Sequence, residues 1–319
     1  MNEDNKIEEQ WVKGVIKETF AEQKKARRWG VLFKSLTFIY LFVALILIVY
    51  TTTANKQISD HAHTAMVRVN GIIAADEDAN ANSIVSGLRA AFKNENSKAV
   101  MLVINSPGGS PVQAGYVYDE MKRLRALYPE KPLYAVIAEL GASGGYYMAV
   151  GADKIYADKA SLVGSIGVTA SSFGFVDLMK KVGVERRHFT SGEHKAFLDP
   201  FSAEKPEESE FWQQVLDVTH QQFIKIVQEG RGSRIQDAEK NEKLYSGLIW
   251  NGEQALALGL IDGLGSPGFV ARDIIKAEDI VDYSVKTSVL TEVVEKLGLS
   301  IGSGLASQLS TQNTRLNLN

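Results

Sequence analysis

Two glycine-dense turns carry the groups best suited to chemistry in this 319-residue chain. The first, Asn105-Ser106-Pro107-Gly108-Gly109-Ser110, follows the apolar pair Val103-Ile104. The second, Gly141-Ala142-Ser143-Gly144-Gly145, follows Val136-Ile137-Ala138. Glycine permits positive φ and lets other atoms approach the backbone N–H groups closely. A Gly-Gly turn that opens a helix therefore offers several N–H donors, and the positive end of the helix dipole, to a negative charge. Three readings compete: a turn that needs glycine only for its shape, a phosphate cradle, and an oxyanion hole. Neither turn has the spacing Gly-x-Gly-x-x-Gly, and Gly-x-x-x-x-Gly-Lys-Ser/Thr is absent. The oxyanion hole leads, because Ser143 puts a hydroxyl beside the donors.

A serine hydroxyl is a weak nucleophile until a base takes its proton. Gly-Ala-Ser-Gly-Gly fits the nucleophile-elbow pattern, which would require an acid and then a histidine further along. His188, His194 and His220 lie downstream, with Asp177 or Asp199 as the acid. None of these histidines falls in a convincing late strand-to-helix loop, and His220 sits inside a helical pattern. Lysine is the other base. Its ordinary pKa of about 10.4 keeps it protonated in water, and burial lowers that value by disfavouring the ammonium. Lys195, in Ser191-Gly192-Glu193-His194-Lys195-Ala196-Phe197-Leu198-Asp199-Pro200-Phe201, has small and apolar neighbours. Glu193 would favour the charged form, so it should point away. On the residues alone both bases stay open.

The elements that must position these groups alternate. Ala65–Ile73 reads as a strand, 82–92 as a helix, 98–105 as a strand and 111–127 as a helix. Another strand follows at 131–139, a short helix at 143–150, and strand-like runs at 153–157 and 163–168. A long helix is expected over 204–228, preceded by Pro200 and ended by Gly230 and Gly232. Residues 244–265 read as strand, turn, helix and turn. Continuous apolar strands between helices predict an α/β fold, a mostly parallel sheet flanked by helices.

Ahead of that domain, 21 residues between Lys34 and Lys56 carry no formal charge, and Leu36 to Tyr50 is apolar on every face. At 1.5 Å per residue such a helix covers about 30 Å, a bilayer core. Lys24, Lys25, Arg27, Arg28 and Lys34 precede it, which predicts a cytoplasmic N-terminus and a catalytic domain across the membrane. The expected parse is a cytosolic segment 1–34, an uncleaved anchor 35–54, a polar stalk 55–64, one domain over 65–300, and a polar tail 301–319. His61 and His63 fall in the stalk and are expected to be solvated, without the further ligands a metal needs. The net charge of −3 predicts no nucleic-acid partner, and the lack of cysteine removes thiol and zinc–cysteine chemistry.

Five segments occur together and in order: INSPGG at 104–109, LGASGGYYMA at 140–149, VGSIGV at 163–168, SGEHK with the following PF at 191–201, and GLIWNGEQALALGLID at 247–262. The set resembles the bacterial signal peptide peptidase (SppA-type) serine proteases, related in fold to Clp protease and crotonase enzymes, over about residues 65–275. The resemblance implies a Clp protease/crotonase-like domain. In it Ser143 matches the nucleophile, Lys195 the general base, and Ser165 the hydroxyl that orients the lysine. Gly109 and Gly144 match the oxyanion-hole positions. It implies no cofactor and no metal, a single-domain form rather than tandem halves, and a homo-oligomer of eight subunits with sites at subunit interfaces. Substrates would be cleaved signal peptides and other extended apolar segments at the bacterial inner membrane. Two other classes share the oxyanion turns, a crotonase-like acyl-transfer enzyme and a catalytically silent membrane scaffold.

Overall fold

The computed structural model describes residues 3–54, 60–235 and 243–285, which fall into two compact units, Met1–Ile58 and Ser59–Asn319. The first unit is one helix, α1 (Glu3–Ala54). Its backbone runs as helix across the expected boundary between residues 34 and 35. Within α1, Glu22–Ile46 is 25 residues long with a mean hydropathy of 1.9, long and apolar enough to cross a membrane, and none of it is buried.

The second unit opens with β1 (His63–Asn70), α2 (Ala81–Lys93), β2 (Ser97–Ser106), α3 (Pro111–Leu127), β3 (Leu133–Ala142) and α4 (Gly144–Ala149). It continues with β4 (Lys154–Ala157), β5 (Leu162–Gly164), α5 (Val176–Val182) and α6 (Pro206–Arg231). It closes with β6 (Ile249–Asn251), α7 (Gly252–Ala257), β7 (Gly263–Leu264), α8 (Pro267–Phe269), a π-helical stretch Val270–Ile275, and β8 (Ile280–Asp282). The sheet runs β6-β5-β3-β2-β1-β8, with β4 also on β3 and β7 on β4. Every pairing is parallel except β5 with β6. The α/β architecture expected from the alternation is therefore present.

The local reasons are plain in the sequence. The middle of β2, Ala99–Ile104, is buried on both faces, which is why it reads as an unbroken apolar run. Asn80 caps α2 by accepting from Ser83 N–H, and Ser110 caps α3 with Pro111 in the first turn. One face of the sheet packs Ile84, Leu88, Val117, Met121, Phe223 and Val227 into the main core. The opposite face holds a smaller cluster around Met101, Val136, Tyr156 and Val270. Strand β3 is divided along its outer edge: Tyr134–Ile137 pairs with β4, and Leu140–Ala142 pairs with β5. That split leaves the carboxyl end of β3 next to β5.

Several boundaries differ from expectation. Pro206, not Pro200, opens the long helix, and Gly230 lies inside it. The helix needs a glycine there because a methyl group would overlap the Val150 carbonyl. His63 is not a solvated stalk residue but the first residue of β1. It is fully buried, its Nδ1 lies 2.7 Å from the His61 carbonyl, and its Nε2 lies 2.9 Å from Tyr283 Oη. His61 instead pairs with Asp279 at 3.0 Å. Residues 55–59 of the expected stalk, the last part of the expected domain and the tail 301–319 lie outside the described residues.

Candidate active site

Ser143 stands at the junction of β3 and α4 with φ 51° and ψ −123°, a strained conformation for a residue with a side chain. Its hydroxyl caps no backbone group of α4. Its N–H donates to the Gly164 carbonyl at 2.8 Å, continuing the β3–β5 ladder that pairs Ala142 with Gly164. The register therefore sets Ser165 beside Ser143. Ser165 has a matching φ of 50°, and its N–H donates to the Leu248 carbonyl at 2.8 Å. Both serines are half-buried.

The β2–α3 turn supplies the neighbouring donors. Ile73 pairs with Gly109: its N–H donates to the Gly108 carbonyl at 2.9 Å, and its carbonyl accepts from Ser110 N–H at 2.7 Å. Because those bonds use the residues flanking Gly109, the Gly109 N–H lies on the other side, outside the ladder. Gly144 is the first residue of α4, where an N–H has no intrahelical acceptor. The two turns are in close apposition. A methyl group added to Gly108, whose φ is 101°, would lie 2.6 Å from Ser143 Cβ and 2.7 Å from Gly144 N. Ser106 Oγ shapes the turn by donating to the Gly71 carbonyl at 2.6 Å and accepting from Gly108 N–H at 3.1 Å. The arrangement puts a hydroxyl and two backbone donors together, the elements needed to hold a developing oxyanion.

Helix α4 is anchored from below. Tyr146 is fully buried and donates to the Leu260 carbonyl at 2.7 Å, and burial pushes its phenol well above the ordinary range. Two residues on, Asp262 accepts from Arg231 at 2.7 Å and from Ile155 N–H at 2.7 Å. The floor of the Ser143 turn is thus fastened to the end of α6.

Lys195 lies in the irregular stretch between α5 and α6, exposed in the single chain, with its N–H donating to the Gly192 carbonyl at 3.1 Å. Among the described residues no hydrogen bond joins Lys195 Nζ to Ser143 or Ser165. The structure therefore brings together Ser143, Ser165, Gly109 and Gly144, while Lys195 is not hydrogen-bonded to that group. The histidines are engaged elsewhere: His188 with Arg186 at 3.1 Å, His194 with Glu193 at 4.0 Å, and His220 Nε2 against the Ile166 carbonyl at 3.1 Å. Asp199 is held by Arg186, Phe201 N–H and Ser202, and the Arg186 bond is the main reason its pKa falls to about 2. It forms no acid–histidine pair. The role of Gly108 at this site was not evident in the sequence, although the Ser-Pro-Gly-Gly turn was a signal for it.

Residues 125–278 match Peptidase family S49, and residues 54–156 match Clp protease. A protein of Methanocaldococcus jannaschii, provisionally named a protease, is 31% identical over 223 residues, covering 68% of this chain and 70% of that one. This chain belongs to peptidase family S49. It is of the SppA type: an Enterococcus faecium protein provisionally named signal peptide peptidase SppA is 30% identical over 225 residues, 68% of this chain and 64% of that protein. The Na(+)/H(+) antiporter NhaA of Brucella melitensis is 46% identical over 178 residues, which are 56% of this chain and only 24% of the antiporter. The S49 domain has the Clp protease-like fold, with its mostly parallel sheet flanked by helices.

Proposed function

We propose that this S49 member is a membrane-anchored serine endopeptidase that cleaves extended apolar peptides, remnant signal peptides among them, through Ser143 and Lys195. The feature that carries the reading is the register of β3 and β5, which runs on to put Ser143 beside Ser165, with the N–H of Gly144 at the start of α4 and that of Gly109 outside its bridge as the nearby donors. Lys195 takes the Ser143 proton as Oγ attacks the scissile carbonyl. The two glycine N–H groups hold the oxyanion, and Ser165 orients the lysine. Lys195 returns the proton to the leaving amine as the C–N bond breaks. It then activates the water that releases the acyl group from Ser143. An extended substrate adds as a strand at the edge beside the Ile73–Gly109 bridge, where Ile72 is exposed.

The anchor is the apolar part of α1, residues 35–54, and the basic residues before it favour a cytoplasmic N-terminus at the bacterial inner membrane, with the protease domain outside. The lysine of each site comes from a neighbouring subunit of a homo-oligomer, an octamer by the family resemblance. Exposure of Lys195 supports this, as does the apolar surface around it: Phe173, Leu178, Val182, Phe189, Phe211 and Val218 are all exposed in the single chain.

Ser143→Ala and Lys195→Ala should each lower hydrolysis of a fluorogenic peptide amide by at least about a thousandfold. Full activity in Lys195→Ala overturns the base assignment. Turnover of a CoA thioester without amide cleavage would instead favour the acyl-transfer class. Failure of a serine-directed acylating probe to label Ser143 would favour a silent scaffold.

A further inference from the structure

The stretch 183–205 that carries Lys195 contains no helix or strand, so turn and side-chain contacts, some from within it and some from α6, set its shape. We infer that Glu208, in the first turn of α6, is the positioning residue that fixes the Lys195 turn. This rests on Lys195 being the base.

The decisive contact is at Leu198, three residues beyond the lysine. Leu198 has φ 49°, a left-handed conformation that a leucine rarely adopts, and its N–H donates to Glu208 Oε2 at 2.9 Å. The other carboxylate oxygen accepts from Lys205 Nζ at 2.8 Å, and the Glu208 side chain is only 7% exposed. The Lys205 bond, then the Leu198 N–H, hold this carboxyl below the ordinary range, so it is ionised at neutral pH. Phe211 and Trp212 share the Glu208 face of α6, being three and four residues further on. They pack edge-on against Phe197, at 5.8 and 6.1 Å between ring centroids.

The chain from lysine to clamp is short. Lys195 N–H bonds the Gly192 carbonyl, Phe197 N–H bonds the His194 carbonyl, and Leu198 is then clamped. The next corner is fastened separately, by Asp199 to Arg186 and Ser202. Glu208 therefore decides the direction in which the 192–197 turns leave the helix, and with it where the Lys195 amine can reach. It touches no reacting atom.

The test uses the full-length protein in detergent with the fluorogenic amide. Glu208→Ala should lower kcat by tenfold to about a hundredfold, the cost of a displacement near 1 Å, with KM changed less than about twofold. Glu208→Gln, which keeps an acceptor for Leu198, should stay within about threefold of wild type. Adding Leu198→Gly to Glu208→Ala should recover most of the loss, because glycine takes positive φ unaided. Wild-type kcat in Glu208→Ala overturns the inference, as does a double variant no better than the single one. If Glu208→Ala does not fold, Lys205→Met and Glu208→Asp carry the test. The former keeps the Leu198 bond and should keep kcat; the latter is one carbon short and should lose it. Equal kcat in that pair overturns the inference. Lys195→Ala separates the two levels: activity retained there defeats the dyad, whereas an inactive Lys195→Ala beside an unaffected Glu208→Ala defeats only the clamp.

Discussion

At the scale of single residues the site depends on backbone conformations that side chains normally avoid. Ser143 and Ser165 both sit at φ near 50°, one at the end of β3 and the other at the end of β5. Each is over-determined by a ladder bond, to Gly164 and Leu248 respectively. Such strain persists only where neighbours enforce it. Gly108 is one of those neighbours, since nothing larger fits between its turn and the Ser143 Cβ. Gly108→Ala should therefore push the donor turn away from Ser143 and lower kcat by about a hundredfold to a thousandfold, the usual loss when an oxyanion donor is removed. Reaction of Ser143 with an acylating probe should slow in parallel. An unchanged acylation rate would show that the turn does not contact the reacting centre.

At the scale of elements, α4 holds its place through Tyr146 and the segment Leu260–Asp262, and that segment is fixed by the buried Arg231–Asp262 pair. Arg231 is 1% exposed, and its Nε also donates to the Gly259 carbonyl at 2.9 Å. Asp262→Ala leaves a buried guanidinium without its partner, which should cost about 3–5 kcal/mol, measured by urea unfolding at neutral pH. A loss below about 1 kcal/mol would mean that solvent already reaches the pair. Burial raises the pKa of Asp262, but Arg231, the Ile155 N–H and Arg234 outweigh it and the net shift is downward. Glu120 is held at about 2 by its bonds to Arg123 and Arg89. Both carboxylates are deprotonated more readily in the folded state. Their stabilisation is thus complete above the ordinary carboxylate range and is lost as pH falls, for Glu120 between about 4.5 and 2. Glu120→Gln should flatten the fall in the urea midpoint across that window. Elements with local signals were legible in the sequence: Ser110 and Pro111 mark α3 to the residue, and the apolar run marks β2 to within one residue at each end. The α5 helix, the π-helical stretch and β8 were not, because they are short and owe their form to packing; β8 is three residues paired to β1. Likewise the glycine turns announced Ser143, whereas His63 looked like linker because the Tyr283 ring that stacks on it lies 220 residues away.

At the scale of the whole molecule, the question is which chain's lysine serves which serine. Helix α6 touches the lysine stretch at Glu208 and the Ser165 turn at His220, which meets the Ile166 carbonyl. Twelve residues of helix set those anchor points about 18 Å apart along the axis. That spacing, together with the exposure of Lys195, favours a lysine turn held apart from its own serine pair, among exposed apolar side chains that a second subunit would cover. Shared sites make a distinctive prediction. A Ser143→Ala subunit still carries an intact lysine, and a Lys195→Ala subunit an intact serine. Each variant alone should be inactive. Dissociated, mixed in equal amounts and reassembled, they should regain about a quarter of wild-type activity, because random assortment gives that fraction of interfaces both functional groups, in keeping with heterologous contacts in a closed ring. Sites complete within one chain would leave the mixture as inactive as its parents, so a null result after verified subunit exchange refutes the shared arrangement while leaving the Ser143–Lys195 chemistry intact.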